Sequence, residues 1–549
     1  MTDEARIMND QETPSKSEPI CPLPQPKGRH TALALAAILL IGVGFGLPSL
    51  PEPFGVDQGI YGYIAERLLE GAVGYRDVFD HKPPGIHVAY AAAFAAFGHQ
   101  MWSVRLLDWM AALATAWCLC LFGRRWIGLR FGFLAGSLYI AYYETGFDWM
   151  SRAQPETWVN LAFVAALALS VGRRSWPATF AAGLLLGMGF WFKPTIVALA
   201  PVWIAIVANR ALQEPENCLK RFELDLLAAG AGVLAACGLV VAYYAANGAL
   251  NDLYEAVFVF NLRYHNRLQL LQGWRQIGRA ITFIITPLYA MWLLAAASVG
   301  IAAANRQWGR VAFGWVWLVL AFATVFWQAS FAKSHYVLVL PPVAVLAAFA
   351  LDTAARMMAS FAGKEAGRRY IFIGALTAGG CLILLNLLNL SQPRWTKYVA
   401  LADSGLPREK YYASFWLGAP GRSGYSLEDL RRIGAYLEER TTPDQPIYIW
   451  GFRPLIAYLA HRRMPTRFIF RYPLTQTNDP RWWAEFLSDL ERSHPVYFVV
   501  VFNDRGLYHP ESSKDTLESN AALSLFLHDH YVLDRTMSDF EIWRLRDEK

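Results

Sequence analysis

The passage between Gly55 and Gly98 is dense in charged and aromatic residues for a chain this apolar. Asp57 is followed by Gln58 and Tyr61, and then comes Tyr75-Arg76-Asp77-Val78-Phe79-Asp80-His81-Lys82-Pro83-Pro84-Gly85. A carboxylate takes a proton from a hydroxyl, and a lysine steadies a phosphate. Together at a membrane surface they suit a substrate that is itself part lipid and part polar, such as a lipid-linked phosphate. Asp57 is the candidate base. It also reads as the N-cap of a helix beginning at Gln58, and the two roles are compatible, because a cap fixes the carboxylate. Glu52, between Pro51 and Pro53, is the alternative acid in a stretch that reads as a turn. Lys82 is the candidate phosphate ligand, stiffened by two prolines, against the plainer reading of a snorkelling lysine. Asp77, Asp80 and His81 read as solvated loop residues, with Asp80 able to orient Lys82.

Four further positions carry charge or an imidazole where an apolar chain has little reason to. Glu156, in Ser151-Arg152-Ala153-Gln154-Pro155-Glu156, falls in the first turn of a predicted helix. It either complements the helix dipole or acts as a second carboxylate facing Asp57, binding an acceptor or a divalent metal. Arg105 lies inside a predicted span, where a guanidinium is costly unless it pairs with an anion or an acid. Lys193, in Trp191-Phe192-Lys193-Pro194, ends another span. His335 belongs to Lys333-Ser334-His335-Tyr336, heading a span interrupted by Pro341-Pro342, where it could contact phosphate or anchor the interface. No His-Glu-x-x-His or paired-cysteine metal motif is present. The six cysteines lie in the tail, the spans or a loop, which supports no disulfide framework.

These residues must be positioned by a membrane bundle. Of 549 residues, 55% are hydrophobic and only 17% charged, against roughly 25% charged in soluble domains. Apolar runs near 31–50, 102–123, 131–147, 155–172, 177–192, 194–209, 224–246, 278–303, 311–330, 336–352 and 370–390 predict about eleven spans. Residues 1–30 read as a disordered cytoplasmic tail, 31–390 as the transmembrane domain, and 391–549 as a soluble α/β domain. Clusters such as Arg124-Arg125-Arg130 and Arg210-Lys220-Arg221 fall in alternate loops and mark the cytoplasmic side. The 51–101 loop and the C-terminal domain then face outward. The net charge of +6 comes from such loops, and nucleic acid is not a partner.

Two outward segments are too short to span. Residues 58–70 and 85–97 predict juxtamembrane helices roofing a cavity. From Ser426 onward, helices are expected over 427–440, 455–461 and 479–492, and strands over 446–450, 467–470 and 496–502. The C-terminal domain shows no Gly-rich phosphate loop and no Ser or Cys nucleophile motif. Tyr254, Phe260, Tyr264, His265 and Arg267 read as an interfacial amphipathic helix.

In order along the chain, Asp57, Tyr75, Lys82-Pro83, Phe97-Gly98, Arg105-Leu106, Gly187 with Lys193, and His335-Tyr336 with Pro341-Pro342 resemble the C-type (GT-C) polyprenyl-phosphate-dependent glycosyltransferases. The likeness is to the protein O-mannosyltransferases and the lipid A aminoarabinose transferases, the family-39-like group. It implies a multi-pass enzyme of the bacterial inner membrane. Such an enzyme moves a sugar from a polyprenyl-phosphate donor to a lipid, glycan or protein hydroxyl on the outer face, with inversion. By the resemblance, Asp57 is the base and Glu156 a second catalytic acid, while Lys82, Arg105, Lys193 and His335 serve the donor phosphate. Relatives often carry Asp-Glu at the first acidic site, where Gln58 stands here, and a divalent metal stays open. The competing class is a transporter or lipid-linked-glycan flippase, which would place its ionisable residues near mid-membrane on broken helices.

Overall fold

The computed structural model describes residues 28–172, 174–213, 215–263, 278, 281–328, 331–360, 366–403, 405–417, 424–504 and 511–547. Its first part is helical: α1 Gly28–Gly46, α2 Val56–Leu69, α3 Gly85–Phe97, α4 Met101–Trp126, α5 Leu129–Gly146, α6 Pro155–Ser170, α7 Trp176–Phe192, α8 Ala200–Leu212, α9 Cys218–Ala246 and α10 Leu250–Tyr254. There follow α11 Tyr289–Asn305, α12 Trp308–Trp327, α13 Leu340–Ser360 and α14 Ala366–Ala402. Each predicted span overlaps one of these helices, although 194–199 and 336–339 form tight turns and only 289–303 of the span expected over 278–303 lies on α11. The helix α1 begins at Gly28, inside the stretch expected as tail, and α14 runs past position 390 to Ala402. Among the described residues, seven helices are long and apolar enough to cross a bilayer, while α7 and α11 are apolar but shorter. The chain is a multi-pass helical membrane protein.

Local chemistry sets the ends. Proline opens α6 and lies in the first turn of α7 and α8, where its missing N–H leaves no unmet bond. Gly98 (φ 91°) closes α3, a backbone conformation glycine adopts without strain. Where helices touch, small residues let the backbones approach. A Cβ on Gly183 of α7 would strike the Ala229 carbonyl of α9, and one on Gly232 of α9 would strike that of Phe180. The centre of the bundle is α13, buried at nearly every position from Leu340 to Ala354 and entered through a tight turn, Lys333–Val339.

The two juxtamembrane helices form as expected, α2 over Val56–Leu69 and α3 over Gly85–Phe97. Of the expected interfacial helix, α10 and a wide turn over Glu255–Val259 are seen; Tyr264, His265 and Arg267 lie outside the described residues.

The C-terminal part comprises α15 Arg408–Ala413, α16 Leu427–Glu438, β1 Ile447–Trp450, α17 Leu455–Leu459, α18 Tyr472–Thr477, α19 Pro480–Ser493, β2 Tyr497–Val501, α20 Ser513–Glu518, α21 Ala521–His530, β3 Tyr531–Met537 and β4 Phe540–Leu545. The sheet order is β1-β2-β4-β3, with β1 and β2 parallel and the other pairs antiparallel. Residues 467–470, expected as a strand, are irregular. The Arg467 carbonyl accepts the Phe79 N–H (2.8 Å), and the next segment bonds back at Gly451. One apolar core runs from Phe54, Tyr61 and Tyr90 into Ile433, Trp450 and Phe498. A Cβ on Gly59 would come within 2.7 Å of Leu455, so α2 packs directly against α17.

Candidate active site

The start of α2 carries Asp57. The helix begins at Val56 with Gly55 as its N-cap, so Asp57 is not the cap its sequence position suggests. The capping work passes to Gln58, which is fully buried. Its Oε1 accepts the Gly55 N–H, and its amide donates to the carbonyls of Trp149 (2.8 Å) and Arg152 (2.5 Å). Arg105 braces the same turn, donating to the carbonyls of Glu52 (3.1 Å) and Pro53 and to Gln58 Oε1 (3.1 Å). The Asp57 carboxylate stays half-buried in the first turn, and no hydrogen bond among the described residues uses it. Burial raises its pKa above the ordinary carboxylate value; Lys82 opposes that rise, and Asp80 and Glu156 add to it.

Lys82 is held through its backbone. The Tyr75 hydroxyl donates to the Lys82 carbonyl (2.7 Å), and Asn261 donates to that of His81 (2.7 Å). Asp80, expected in solvent, is 1% exposed. It accepts from the His81 N–H (2.7 Å) and lies 2.8 Å from His87 Nε2. Burial alone would raise the Asp80 carboxyl, but its bonds to His81 and His87 hold it well below the usual range, so it stays ionised. Beyond the loop, Pro84 starts α3, and Gly85 packs against the Trp191 carbonyl at the end of α7. The Lys82 ammonium itself, half-buried, makes no hydrogen bond among the described residues.

Opposite, Glu156 in the first turn of α6 pairs with Lys193 at the end of α7. His335 Nε2 lies 3.9 Å from Glu156 Oε1. The other carboxylate oxygen, Glu156 Oε2, is buried without a hydrogen-bond partner. Asn160 of α6 donates to the Val337 carbonyl (2.8 Å), which fixes the His335 turn against this helix. The charges acting on Lys193 include Glu156, Lys82 and Asp57, and those acting on His335 include Lys193 and Lys82. Asp57, Lys82, Glu156, Lys193 and His335 therefore share one electrostatic neighbourhood.

Arg105 stands outside that group. It belongs to a second buried network in which Arg152 pairs with both Glu52 and Glu144, and Arg394 approaches Glu52 (3.5 Å). Asp108 accepts from Tyr143 (2.8 Å) beside it. Gln58, Glu144 and Arg394 escaped the sequence reading. A carboxylate near the end of α5 and an arginine in α14 were the available signals, since charge in a span calls for a partner.

A groove of about 1020 Å³ lies beside this network. Pro51, Trp102, Tyr398, Arg408, Tyr411 and Arg431 are among its walls.

The bundle, its two juxtamembrane helices and the small mixed domain together are the C-type glycosyltransferase membrane fold. The chain is similar over 94% of its length, and 98% of theirs, to ArnT from Cupriavidus metallidurans bound to undecaprenyl phosphate, with a TM-score of 0.55 at 13% identity. Its similarity to the apo form of that protein gives 0.54 at 13% identity, over 94% of this chain and 97% of that one. The Archaeoglobus fulgidus oligosaccharyltransferase tethered with an acceptor peptide gives 0.47 at 12%, over 95% of this chain and 74% of that one. No family profile and no curated protein sequence matches the chain.

Proposed function

We propose that the protein is a polyprenyl-phosphate-dependent glycosyltransferase acting on the outer face of a bacterial inner membrane, with Asp57 as general base. The observation that carries this reading is that the Asp57 carboxylate and the Lys82 ammonium, which interact electrostatically, make no hydrogen bond among the described residues, each on rigidly held backbone. The likeness to a structure holding undecaprenyl phosphate supports a polyprenyl-phosphate donor.

In the proposed step, the acceptor hydroxyl oxygen attacks the anomeric carbon as its proton passes to the Asp57 carboxylate. The bond from that carbon to the phosphate oxygen breaks, and the electron pair leaves with the polyprenyl phosphate. One displacement inverts the anomeric centre. Lys82 takes the growing phosphate charge, in a site where a fixed cation needs no reorganisation. Lys193 adds a positive charge on that side, and His335 offers an imidazole N–H to the phosphate. Glu156 holds Lys193 through one oxygen and offers the other to a sugar or acceptor hydroxyl. Arg105 acts as a positioning residue, because its bonds go to the turn that presents Asp57.

The groove walled by Pro51 and Pro53 adjoins that turn. Its aromatic rim and Arg408, which is exposed and has no ion-pair partner among the described residues, suit an acceptor with an apolar anchor and an anionic head. The arginine clusters in alternate loops support a cytoplasmic N-terminus and a C-terminal domain on the outer side.

Transfer from radiolabelled polyprenyl-phosphate sugar in membranes tests the reading. Asp57→Asn should abolish transfer at normal expression. A transporter or flippase would be indifferent to that change in such an assay, and unchanged transfer overturns the proposal.

A further inference from the structure

One cluster of metal-ligating side chains lies apart from the Asp57 group. Glu491 lies in the last turn of α19, His494 just beyond its end, and His530 ends α21. Glu491 Oε2 is 4.0 Å from His494 Nε2 and 3.8 Å from His530 Nε2. The two imidazole centroids stand 4.8 Å apart, nearly perpendicular.

Local structure explains the convergence. Glu491 and His494 are three apart at the helix end, a spacing that places side chains on one face. His494 takes a left-handed conformation (φ 39°, ψ 72°) and donates its N–H to the Leu490 carbonyl (2.9 Å), closing α19. Phe526, one turn before His530 and almost fully buried, lies under both rings, 5.1 Å from His530 and 6.0 Å from His494. That apolar floor limits where the imidazoles can turn. The nearest helix cation, Arg492, is committed to Asp489 (2.7 Å). Among the described residues, Glu491 has no lysine or arginine partner; it meets only the two histidines.

We propose that Glu491, His494 and His530 form a divalent-metal site of the zinc class, clipping α21 and the β3–β4 hairpin to α19. Two imidazoles and a carboxylate are a donor set that zinc accepts, leaving a fourth position for water. The three donor atoms lie within 4.8 Å of one another; tetrahedral zinc with ligands at about 2.0–2.1 Å needs them about 3.3 Å apart. Small rotations of three partly exposed side chains close that difference. None of the three belongs to the transfer site, so the inference stands whether or not the glycosyltransferase reading does.

The test uses the full chain in detergent, stripped by chelator and carrying no polyhistidine tag. Zinc titration should show a micromolar or tighter site and raise the thermal unfolding temperature. In His494→Ala/His530→Ala that site should weaken at least 100-fold and the thermal shift should vanish, while the stripped variant melts close to stripped wild type. Glu491→Gln retains both imidazoles and should weaken binding by about tenfold, so it serves should the double variant fail to fold. Absence of a zinc-dependent shift in wild type, or unchanged affinity in the variants, overturns the site.

Discussion

Two neighbouring groups of charge meet at the start of α2, and they differ in how completely they are satisfied. In the Glu52–Arg152–Glu144–Arg394 network, each carboxylate has a guanidinium, and what remains unbonded is single guanidinium nitrogens. In the Asp57 group, a carboxylate, an ammonium and the second oxygen of Glu156 stay uncommitted. Buried charges are nearly always paired, so a network in which every carboxylate meets a guanidinium reads as scaffold, and a group that keeps a carboxylate and an ammonium to spare reads as a binding site. Gln58 and Arg105 join the two, since both hold the turn that carries Asp57.

The comparison breaks first at Asp57. Replacing it with Asn keeps the shape and removes the proton acceptor, and transfer should fall by about 10²–10⁴-fold, the usual worth of a general base. Unfolding temperature should barely change. Arg152→Met should do the reverse. It strands Glu144 as a buried carboxylate and leaves Glu52 only Arg394, a loss of about 3–5 kcal/mol, read as a lower unfolding temperature and poor recovery from membranes. Equal behaviour of the two variants in both measurements would erase the distinction between scaffold and site.

How much of this was legible in the sequence follows the range of the interactions. Helices α2 and α3 were readable to within a residue or two, because Gly55, Pro84 and Gly98 punctuate them locally. The β3–β4 hairpin was not: Tyr531–Met537 is mostly exposed, carries Asp534 and Arg535, and is defined by its pairing with β4. Burial of Asp80 was invisible for a related reason, since it depends on His87 and on the distant segment carrying Phe260 and Asn261. At Arg105 the sequence called for an anion or an acid as partner. The hydrogen-bond partners are instead the neutral backbone carbonyls of residues 52 and 53, which carry no sequence signature, and the Gln58 side-chain amide. Asp57 drew notice as a cap, yet the helix starts one turn position earlier because Gln58 bonds the Gly55 N–H.

A finer test reads the coupling between Lys82 and Asp57. A general base must be ionised, so activity should fall as pH falls through the Asp57 pKa. Burial sets that pKa above the ordinary carboxylate value, and Lys82 pulls it back. Lys82→Met removes the pull. The acid limb of kcat/KM, which reports the free enzyme, should therefore move to higher pH, in addition to weaker donor use. An acid limb that stays in place would separate the two residues electrostatically and leave Lys82 as a mere interfacial lysine.

The smallest effect belongs to Lys333, which bridges to Asp148 (3.1 Å) at a partly exposed position. Burial would raise the Asp148 carboxyl, but Lys333 and bonds from Ser151 lower it below its ordinary value. A depressed folded pKa contributes stability above the unfolded value and loses it as pH falls through the folded one. Lys333→Gln should therefore cost less than about 1 kcal/mol near neutral pH, as exposed pairs do. That difference from wild type should shrink on acidification as Asp148 protonates. Unfolding in denaturant at two pH values checks this. A loss as large as that of Arg152→Met would place Lys333 in the scaffold, where its exposure says it does not belong.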